Sequence, residues 1–295
     1  MVRSLHDKMW TSMQTASFHL IESTMPASLT GPRVTGIARL SRVVVVLMLT
    51  VAPASATRGP DEQAATQPAP TQNPREPDFL FSWPRTFVGV AGGWLATAQR
   101  GGIFDLTREL LTVEDGDFDS GAALFSFGRA LSRRVDVSAE VGFSHATVAS
   151  EYRDFLEGDL PITQTTEFSQ APVSANLRLW LVPRGRSIGR FAWVPAGVAP
   201  YVSGGVGTHW YRFRQLGDFV DMVDSSIFSD ILESSGWAAG AHVAGGISAH
   251  MVKQLFLTVE ARYKWAATPL SEDFVGFEDI DLDGFQVTGG VEFAF

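Results

Sequence analysis

Two groups of aspartates at alternate positions are the first residues whose spacing suggests chemistry. They are Asp115, Asp117 and Asp119, followed by Asp279, Asp281 and Asp283. Oxygen ligands at alternate positions converge on Ca²⁺ at the start of an EF-hand loop. In the second group the bidentate glutamate of such a loop would fall at Gly290, and Ile280 and Leu282 favour a strand. The sequence therefore predicts no metal site, with calcium binding, or loose divalent bridging to lipid phosphates, left open as an alternative.

A serine beside a histidine, Ser144 and His145, and a second histidine, His209, are the residues with which hydrolytic chemistry could be built. Nucleophilic catalysis needs a hydroxyl in contact with an imidazole, and a carboxylate that orients the ring. The spacing of these residues matches no such pattern. The chain also has no cysteine, which excludes thiolate metal sites and disulfides. We therefore predict no enzyme activity, no catalytic residue and no cofactor.

Six charged residues have a different property in common, because each lies on the polar side of a segment whose other side is apolar. They are Glu140, Arg178, Glu260, Arg262, Lys264 and Glu292. Apolar and polar residues alternate with period 2 in these segments, which indicates β-strands with one apolar and one polar face. The clearest case runs from Phe285 to Phe295, where the chain stops on an aromatic residue. We expect the six charges to lie together inside the structure that these strands form.

Eight strands of this kind are predicted after Pro84. Their approximate bounds are 85–98, 121–131, 135–148, 167–182, 201–214, 237–251, 254–267 and 285–295. The connections after the first, third, fifth and seventh strands are expected to be long and acidic, at 114–119, 151–159, 218–233 and 272–283. The other connections are mostly short and basic, and only the stretch from Pro183 to Pro200 is long for such a turn. Long loops at one end and short turns at the other are typical of a bacterial outer-membrane barrel.

The polar face decides between a soluble sandwich and a membrane barrel. A soluble sheet buries its apolar face and turns charges to water, whereas a membrane barrel turns its apolar face to lipid. In the barrel the six charges share a small interior, which is tolerable when they pair. We expect a packed interior of ion pairs, because eight strands enclose just enough room for side chains. A narrow gated pore that uses the same charges is the alternative.

The N-terminal part predicts export. Arg39 and Arg42 precede an apolar run of about ten residues, and the small residues Ala54 and Ala56 follow it, as in a signal peptide with its cleavage site. The run is too short to cross a bilayer as a helix, which needs about 20 apolar residues. Residues 57–84 are rich in Pro, Gln, Ala and Thr and predict a flexible linker. The predicted organisation is thus 1–56 extension and signal peptide, 57–84 linker, and 85–295 barrel.

Three stretches carry a resemblance to a known family: Pro200 to Gly207, Val259 to Tyr263, and Gly289 to Phe295. Over roughly 85–295 the chain resembles the bacterial outer-membrane β-barrel domain family and is similar to the eight-stranded barrels of the OmpA and OmpX type. The resemblance implies an all-β, eight-stranded antiparallel up-and-down transmembrane barrel. It also implies that the barrel-assembly machinery reads the terminal aromatic residues, Phe293 and Phe295.

Function is less defined by the sequence, because a barrel of this kind is shared by proteins with different roles. We expect a structural or surface-interaction role in the cell outer membrane, with outer-membrane lipids and lipopolysaccharide as partners. The acidic loops, including a stretch from Val220 to Leu232 with some helical periodicity, are a possible site for an extracellular ligand. The net charge of −9 argues against a nucleic-acid partner. An enzyme that modifies lipid A is the remaining alternative.

Overall fold

The computed structural model describes residues 79–221 and 225–295. Its strands are β1 (Thr86–Thr97), β2 (Ser120–Ala130), β3 (Val135–Glu157), β4 (Leu160–Trp180), β5 (Gly185–Ile188), β6 (Ala192–Pro195), β7 (Val198–Val220), β8 (Ile227–Val252), β9 (Leu255–Thr268), β10 (Ile280–Asp281) and β11 (Gly284–Ala294). A helix, α1 (Gly102–Leu110), and a 3₁₀ turn (Glu272–Phe274) complete the described elements. No helix in these two ranges is long and apolar enough to cross a membrane. The predicted leader, its cleavage residues Ala54 and Ala56, and the linker as far as residue 78 lie outside the described residues.

Eight of the strands form a closed antiparallel ring in the order β1, β2, β3, β4, β7, β8, β9, β11. The ring closes where β11 pairs with β1, from Gly284 opposite Thr97 to Ala294 opposite Phe87. Closure matters because an open sheet edge would leave unpaired N–H and C=O groups in contact with lipid. The predicted eight-stranded antiparallel barrel is confirmed.

The ring is much taller on one side than on the other. We call the end with the connections after β1, β3, β7 and β9 the upper end, and the opposite end the lower end. Strands β3, β4, β7 and β8 have 23, 21, 23 and 26 residues. Strands β1, β2, β9 and β11 have only 12, 11, 14 and 11. The four long strands are neighbours in the ring, so together they form an upper wall that rises above the short side.

The apolar residues change faces along each long strand. In β3 the outward side chains Val141 and Phe143 are exposed, whereas the inward side chains Ala146 and Val148, higher on the strand, are buried. Lower on the strand the inward face is polar, and higher on the strand the outward face is polar. The same exchange occurs in the other long strands, whose buried upper residues include Ile162, Phe168, Phe213, Phe219 and Leu232. The lower part is therefore built for lipid outside, and the upper part for water outside.

Two of the four predicted long loops are wrong, because the strands continue through them. Strand β3 passes to β4 through Gly158 and Asp159, and β7 passes to β8 through residues 221–226. The helical interpretation of the stretch from Val220 to Leu232 is wrong as well, since Val220 ends β7 and residues 227–232 belong to β8. The apolar residues Phe219 and Leu232, at or next to this stretch, are buried in the core. The helix of the described chain lies in the first connection, where the sequence analysis placed none.

An apolar belt surrounds the lower part of the barrel. Its exposed side chains include Val90, Phe125, Val173, Val243, Leu257 and Val287. Trp94, Trp237 and Trp265 stand exposed at the top of this belt, as an aromatic girdle does at a membrane interface. Two other aromatic residues, Trp180 at the end of β4 and Tyr211 within β7, are buried inside the barrel. The outside of the ring is that of a membrane-spanning barrel.

Candidate functional site in the barrel interior

The lowest charged layer of the interior contains two ion pairs that share a carboxylate. Glu292 accepts a hydrogen bond from Arg178 Nη1 at 2.8 Å and another from Arg184 Nη2 at 2.5 Å. Arg184 Nη1 also lies 3.7 Å from Asp136 Oδ2, which accepts a hydrogen bond from Trp180 Nε1 at 2.7 Å. Two guanidinium groups thus meet two carboxylates. This pairing offsets the cost of removing four charges from water.

Aromatic rings surround the two arginines of this layer. The guanidinium carbon of Arg184 lies 4.8 Å from the ring centre of Trp180 and 4.7 Å from that of Phe256. The guanidinium carbon of Arg178 lies 4.6 Å from the ring centre of Tyr201. A cation over an aromatic face gains stabilisation that grows as water is excluded. The rings therefore hold the guanidinium groups in place and fill the space between the ion pairs.

Arg262 forms the middle layer together with two glutamates. Its Nη2 donates to Glu140 Oε2 at 2.9 Å and to Glu260 Oε1 at 2.8 Å. Its Nη1 donates to the other oxygen of Glu140, so the contact with that carboxylate is bidentate. Tyr201 Oη donates to Glu260 Oε2 at 2.9 Å and joins this layer to the one below. The bidentate geometry fixes both position and orientation of the charges.

Lys264 lies above these layers and contacts an amide instead of a carboxylate. Its Nζ donates to Gln170 Oε1, and only 4% of the residue is exposed. His209 and His242 face inward on the neighbouring strands β7 and β8. Among the described residues, His209 Nδ1 and His242 Nε2 have no hydrogen-bond partner. This third layer is polar and carries one cation.

The charged layers contain as many acidic as basic side chains. Their four carboxylates and four cations are Asp136, Glu140, Glu260 and Glu292, with Arg178, Arg184, Arg262 and Lys264. A cavity of about 40 Å³ lies between the two lower layers. A cavity needs about 10–15 Å³ of such space to hold one water, so this one has room for water. The lower half of the interior is therefore packed with paired charges.

The upper half of the interior is an apolar core, which we call the upper core. Helix α1 extends into it, and the ring of Phe104 meets those of Phe118, Phe168 and Phe213 edge to face, with ring centres 5.4, 5.7 and 5.8 Å apart. None of these four residues is more than 2% exposed. Edge-to-face packing is a favourable arrangement for aromatic pairs. The upper core closes the barrel above the charged layers.

Arg153 of the upper wall holds the end of α1. Its Nε donates to the carbonyl oxygens of Leu111 at 2.7 Å and Arg108 at 3.1 Å, and its Nη2 donates to that of Val113 at 3.4 Å. The last carbonyls of a helix have no partner within the helix, and they carry partial negative charge. The neighbouring Tyr152 is buried in the upper core, and this burial raises the pKa of its phenol.

A small hairpin closes the lower end. It consists of β5 and β6, which with their turn cover residues 185–195 of the stretch from Pro183 to Pro200. Trp193 of β6 is 3% exposed and packs with Phe87, Phe256 and Ala294 at the mouth of the barrel. The backbone of Trp193 exchanges two hydrogen bonds of 2.8 Å with Leu80, ahead of the first strand. The hairpin covers the lower mouth and carries Arg184 beside it into the charged layer.

All six charges that the sequence analysis assigned to the interior lie there: Glu140, Arg178, Glu260, Arg262, Lys264 and Glu292. The sequence analysis missed two more, Asp136 and Arg184. The alternation along β3 puts Asp136 on the same face as Glu140, so its position was available from the pattern. Arg184 follows the end of β4, and no periodic signal marks its side chain.

The hydrolytic candidates are not assembled into a catalytic group. Ser144 faces the interior and its chain neighbour His145 faces outward, because adjacent residues of a strand point to opposite sides. His145 Nδ1 lies 2.9 Å from Ser169 Oγ, and its Nε2 lies 3.1 Å from Thr147 Oγ1. Both ring nitrogens thus contact hydroxyl groups, where a triad would have a carboxylate. His209 is inside, in the layer of Lys264.

Three of the alternate aspartates accept hydrogen bonds from backbone N–H groups of their own connection or of the strand before it. Asp119 Oδ1 accepts a hydrogen bond from Thr97 N at 3.0 Å, and Asp283 Oδ1 accepts one from Ala266 N at 2.9 Å. Asp281 Oδ1 accepts one from Asp283 N at 2.7 Å. Within the part of the chain that the structure describes, no group of three or more His, Asp or Glu side chains is placed to hold a metal ion. These carboxylates stabilise turns at the upper end.

The terminal aromatic residues lie on the outside of the barrel seam. Phe293 and Phe295 are exposed, and their ring centres are 5.9 Å apart. The carbonyl oxygen of Phe295 accepts hydrogen bonds from Arg85 N at 3.0 Å and Thr86 N at 2.9 Å. These bonds fix the end of β11 against the start of β1.

Comparison with known proteins gives similar structures only. No protein-family model and no curated protein matches the sequence. Among solved structures, Neisserial surface protein A is 12% identical, with 71% of this chain and 96% of that chain covered and a TM-score of 0.40. The outer membrane protein OprG from Pseudomonas aeruginosa is 12% identical, with 73% and 99% covered and a TM-score of 0.38.

A major outer membrane protein from Thermus thermophilus is also similar, at 9% identity, with 72% of this chain and all of that chain covered and a TM-score of 0.41. Sequence identities and TM-scores this low do not indicate a shared activity or shared partners. The fold itself rests on the closed register of the eight strands. The resemblance to eight-stranded outer-membrane barrels is confirmed at that level: this chain is an eight-stranded antiparallel transmembrane β-barrel.

Proposed function

We propose that this protein resides in the outer membrane of a Gram-negative-type cell and has a structural or surface-interaction role, without conducting solutes. The observation that carries the proposal is the filling of the barrel interior. Trp193 closes the lower mouth, paired charges fill the middle, and the rings around Phe104 close the top. A continuous water path would have to displace all three. Such a barrel acts through its outer surfaces.

Conductance and gel mobility together test this proposal. The purified protein in detergent is expected to migrate differently on SDS gels before and after boiling, because a closed barrel resists SDS at room temperature. In a planar bilayer, the wild type and Glu292→Ala are both expected to show no channel events, with a porin reconstituted in parallel as the control. Steps of conductance in the wild type would contradict the proposal and favour a narrow gated pore through the charged layers.

The proposal includes export and assembly. The leader is cleaved after Ala56, which N-terminal sequencing of the membrane-extracted protein tests. The barrel-assembly machinery then recognises Phe293 and Phe295, whose outward position at the seam supports this role. Phe295→Asp is expected to lower the amount of folded protein in the outer membrane more than Glu292→Ala does, measured by membrane fractionation and gel mobility. Equal amounts for the two variants would remove the assembly role of Phe295.

In the surface-interaction role, the protein contacts other molecules at its upper end. Outer-membrane lipids and lipopolysaccharide surround the apolar belt, and an extracellular ligand would meet the acidic connections at the top of the upper wall. The test uses a host surface to which cells with this protein adhere better than cells without it. Deleting residues 114–117, within the first acidic connection, is expected to weaken that adhesion and to leave gel mobility unchanged.

Mass spectrometry of lipid A from cells with and without the protein is expected to show no difference. A changed acylation pattern would instead favour the lipid A-modifying alternative.

A further inference from the structure

A groove crosses the lipid-facing wall of the barrel over β2, β3, β4 and β7. It has a volume of about 620 Å³, and its floor is made by the small outward residues Ala139, Ala175 and Gly204. Phe127 and Val206 border it at opposite ends. The groove lies within the apolar belt and outside the charged interior, so it is separate from the layers described above.

The strand register explains why the wall is concave here. Phe127 pairs with Ala139, Ala139 with Ala175, and Ala175 with Val206, so one row across four strands runs from large to small to large. Phe127 is 52% exposed and Val206 is 67% exposed, as expected for side chains that face lipid. A convex barrel surface becomes a trough where small residues are flanked by large ones.

Arg129 lines the same groove at its lower side. It faces outward, one residue before the end of β2, and it is exposed. No carboxylate of the described residues forms an ion pair with it, and no Asp or Glu lines the groove. An arginine on a lipid-facing wall is unfavourable unless its charge reaches the headgroup region or meets an anion. Its long side chain can extend toward the interface while its methylene groups stay in the belt.

From these features we propose that the groove binds one glycerophospholipid of the lower leaflet, with an acyl chain over Ala139 and Ala175 and the phosphate on Arg129. The apolar trough and the unpaired cation at its lower rim match the two parts of that lipid. A second copy of the chain fits less well, because it would bury Arg129 without a carboxylate partner from the groove. The proposal rests on the proposed function only in requiring that this belt lies in the outer membrane.

Native mass spectrometry of the folded protein in non-ionic detergent, titrated with dioleoylphosphatidylglycerol, tests the proposal. Ala139→Leu fills the trough and is expected to weaken binding of the first lipid at least tenfold. Arg129→Gln is expected to weaken binding of phosphatidylglycerol about fivefold and to leave binding of uncharged diacylglycerol unchanged. Ala175→Leu provides the same measurement as Ala139→Leu if the latter fails to fold.

Two substitutions outside the groove serve as controls. Ala261→Leu makes the same change at an exposed, outward position of β9, and Arg133→Gln removes a cation from the lower turn. Both are expected to bind lipid like the wild type. Equal affinity of groove and control variants would overturn the site, as would a dimer that only the groove variants lose. Absence of heat-modifiable mobility in the wild type would instead overturn the proposed function, so the two failures are distinct.

Discussion

The lower and upper halves of this barrel interior are filled by opposite chemistries. Below, four carboxylates pair with three arginines, and Lys264 contacts an amide, inside a ring whose outside is apolar. Above, phenylalanines pack inside a wall whose outside is polar. One set of four strands passes through both halves. The comparison shows that lipid or water outside each segment determines which face of the strand is apolar. The interior is then filled by the side chains of the opposite face, which are polar below and apolar above.

The largest effect is expected from breaking the lower half at its shared carboxylate. Glu292→Ala leaves Arg178 and Arg184 without that partner inside the barrel. Removing one member of a buried ion pair costs about 3–5 kcal/mol, and we expect the upper end of that range because two cations are affected. Urea titration in detergent micelles, followed by tryptophan fluorescence, measures the loss. Thr288→Ala, an inward change on the same strand, is the control, and a similar loss there would mean that packing and not charge holds this half.

The upper half should respond to a change of volume. Phe213→Ala removes a ring that meets Phe104 at 5.8 Å and Phe274 at 5.6 Å. Truncating a buried phenylalanine costs about 3–5 kcal/mol, and we expect the lower end of that range because loop segments around it can partly collapse. Phe143→Ala, at an exposed outward position, should cost far less in the same titration. A loss for Phe213→Ala that varied strongly with salt would contradict an apolar upper core.

A smaller effect is expected where the upper wall holds α1. Arg153→Met keeps the aliphatic part of the side chain and removes its hydrogen bonds to three carbonyl oxygens. Such charge-assisted bonds contribute about 1.5–3 kcal/mol when buried, and we expect about 1–2 kcal/mol because Arg153 is exposed in part. Limited proteolysis should then cut within residues 98–119 faster than in the wild type. Arg133→Met in the lower turn is the control, and equal cleavage of both variants would remove this role.

The smallest effect is expected from an ion pair on the outside of the upper wall. Arg212 Nη2 lies 2.8 Å from Glu233 Oε2, but both side chains are partly in water. Exposed pairs contribute about 0–1 kcal/mol, so Glu233→Gln should change the free energy of unfolding by less than about 1 kcal/mol. The same distance separates Arg178 from Glu292 inside the barrel. A loss as large as that of Glu292→Ala would show that burial does not distinguish the two halves.

The membrane half was predictable because apolar and polar residues alternate regularly there and the outward face meets lipid throughout. The faces of Val287 and Glu292, and the inward position of Lys264, follow from period 2 alone. The upper halves of the long strands were missed because the apolar residues move from the outward to the inward face near Phe143. A prediction that expects the same apolar face throughout ends the strand at that point. Helix α1 is only nine residues long and owes its stability to the upper core. Arg184 and Trp193 act at the mouth through tertiary contacts that no local pattern records.

The composition of the upper core has a consequence for the order of assembly. Phe104 comes from the first connection of the barrel, and Ile280 and Leu282 come from the last, yet all three belong to one buried cluster. They can meet only on the upper side of the membrane, so both connections must reach that side before the cluster is complete. We therefore expect the upper core to form after this crossing and to oppose the reverse movement. Withdrawal of the barrel would require unpacking this cluster first, so the last contacts to form are also the ones that keep the protein in place.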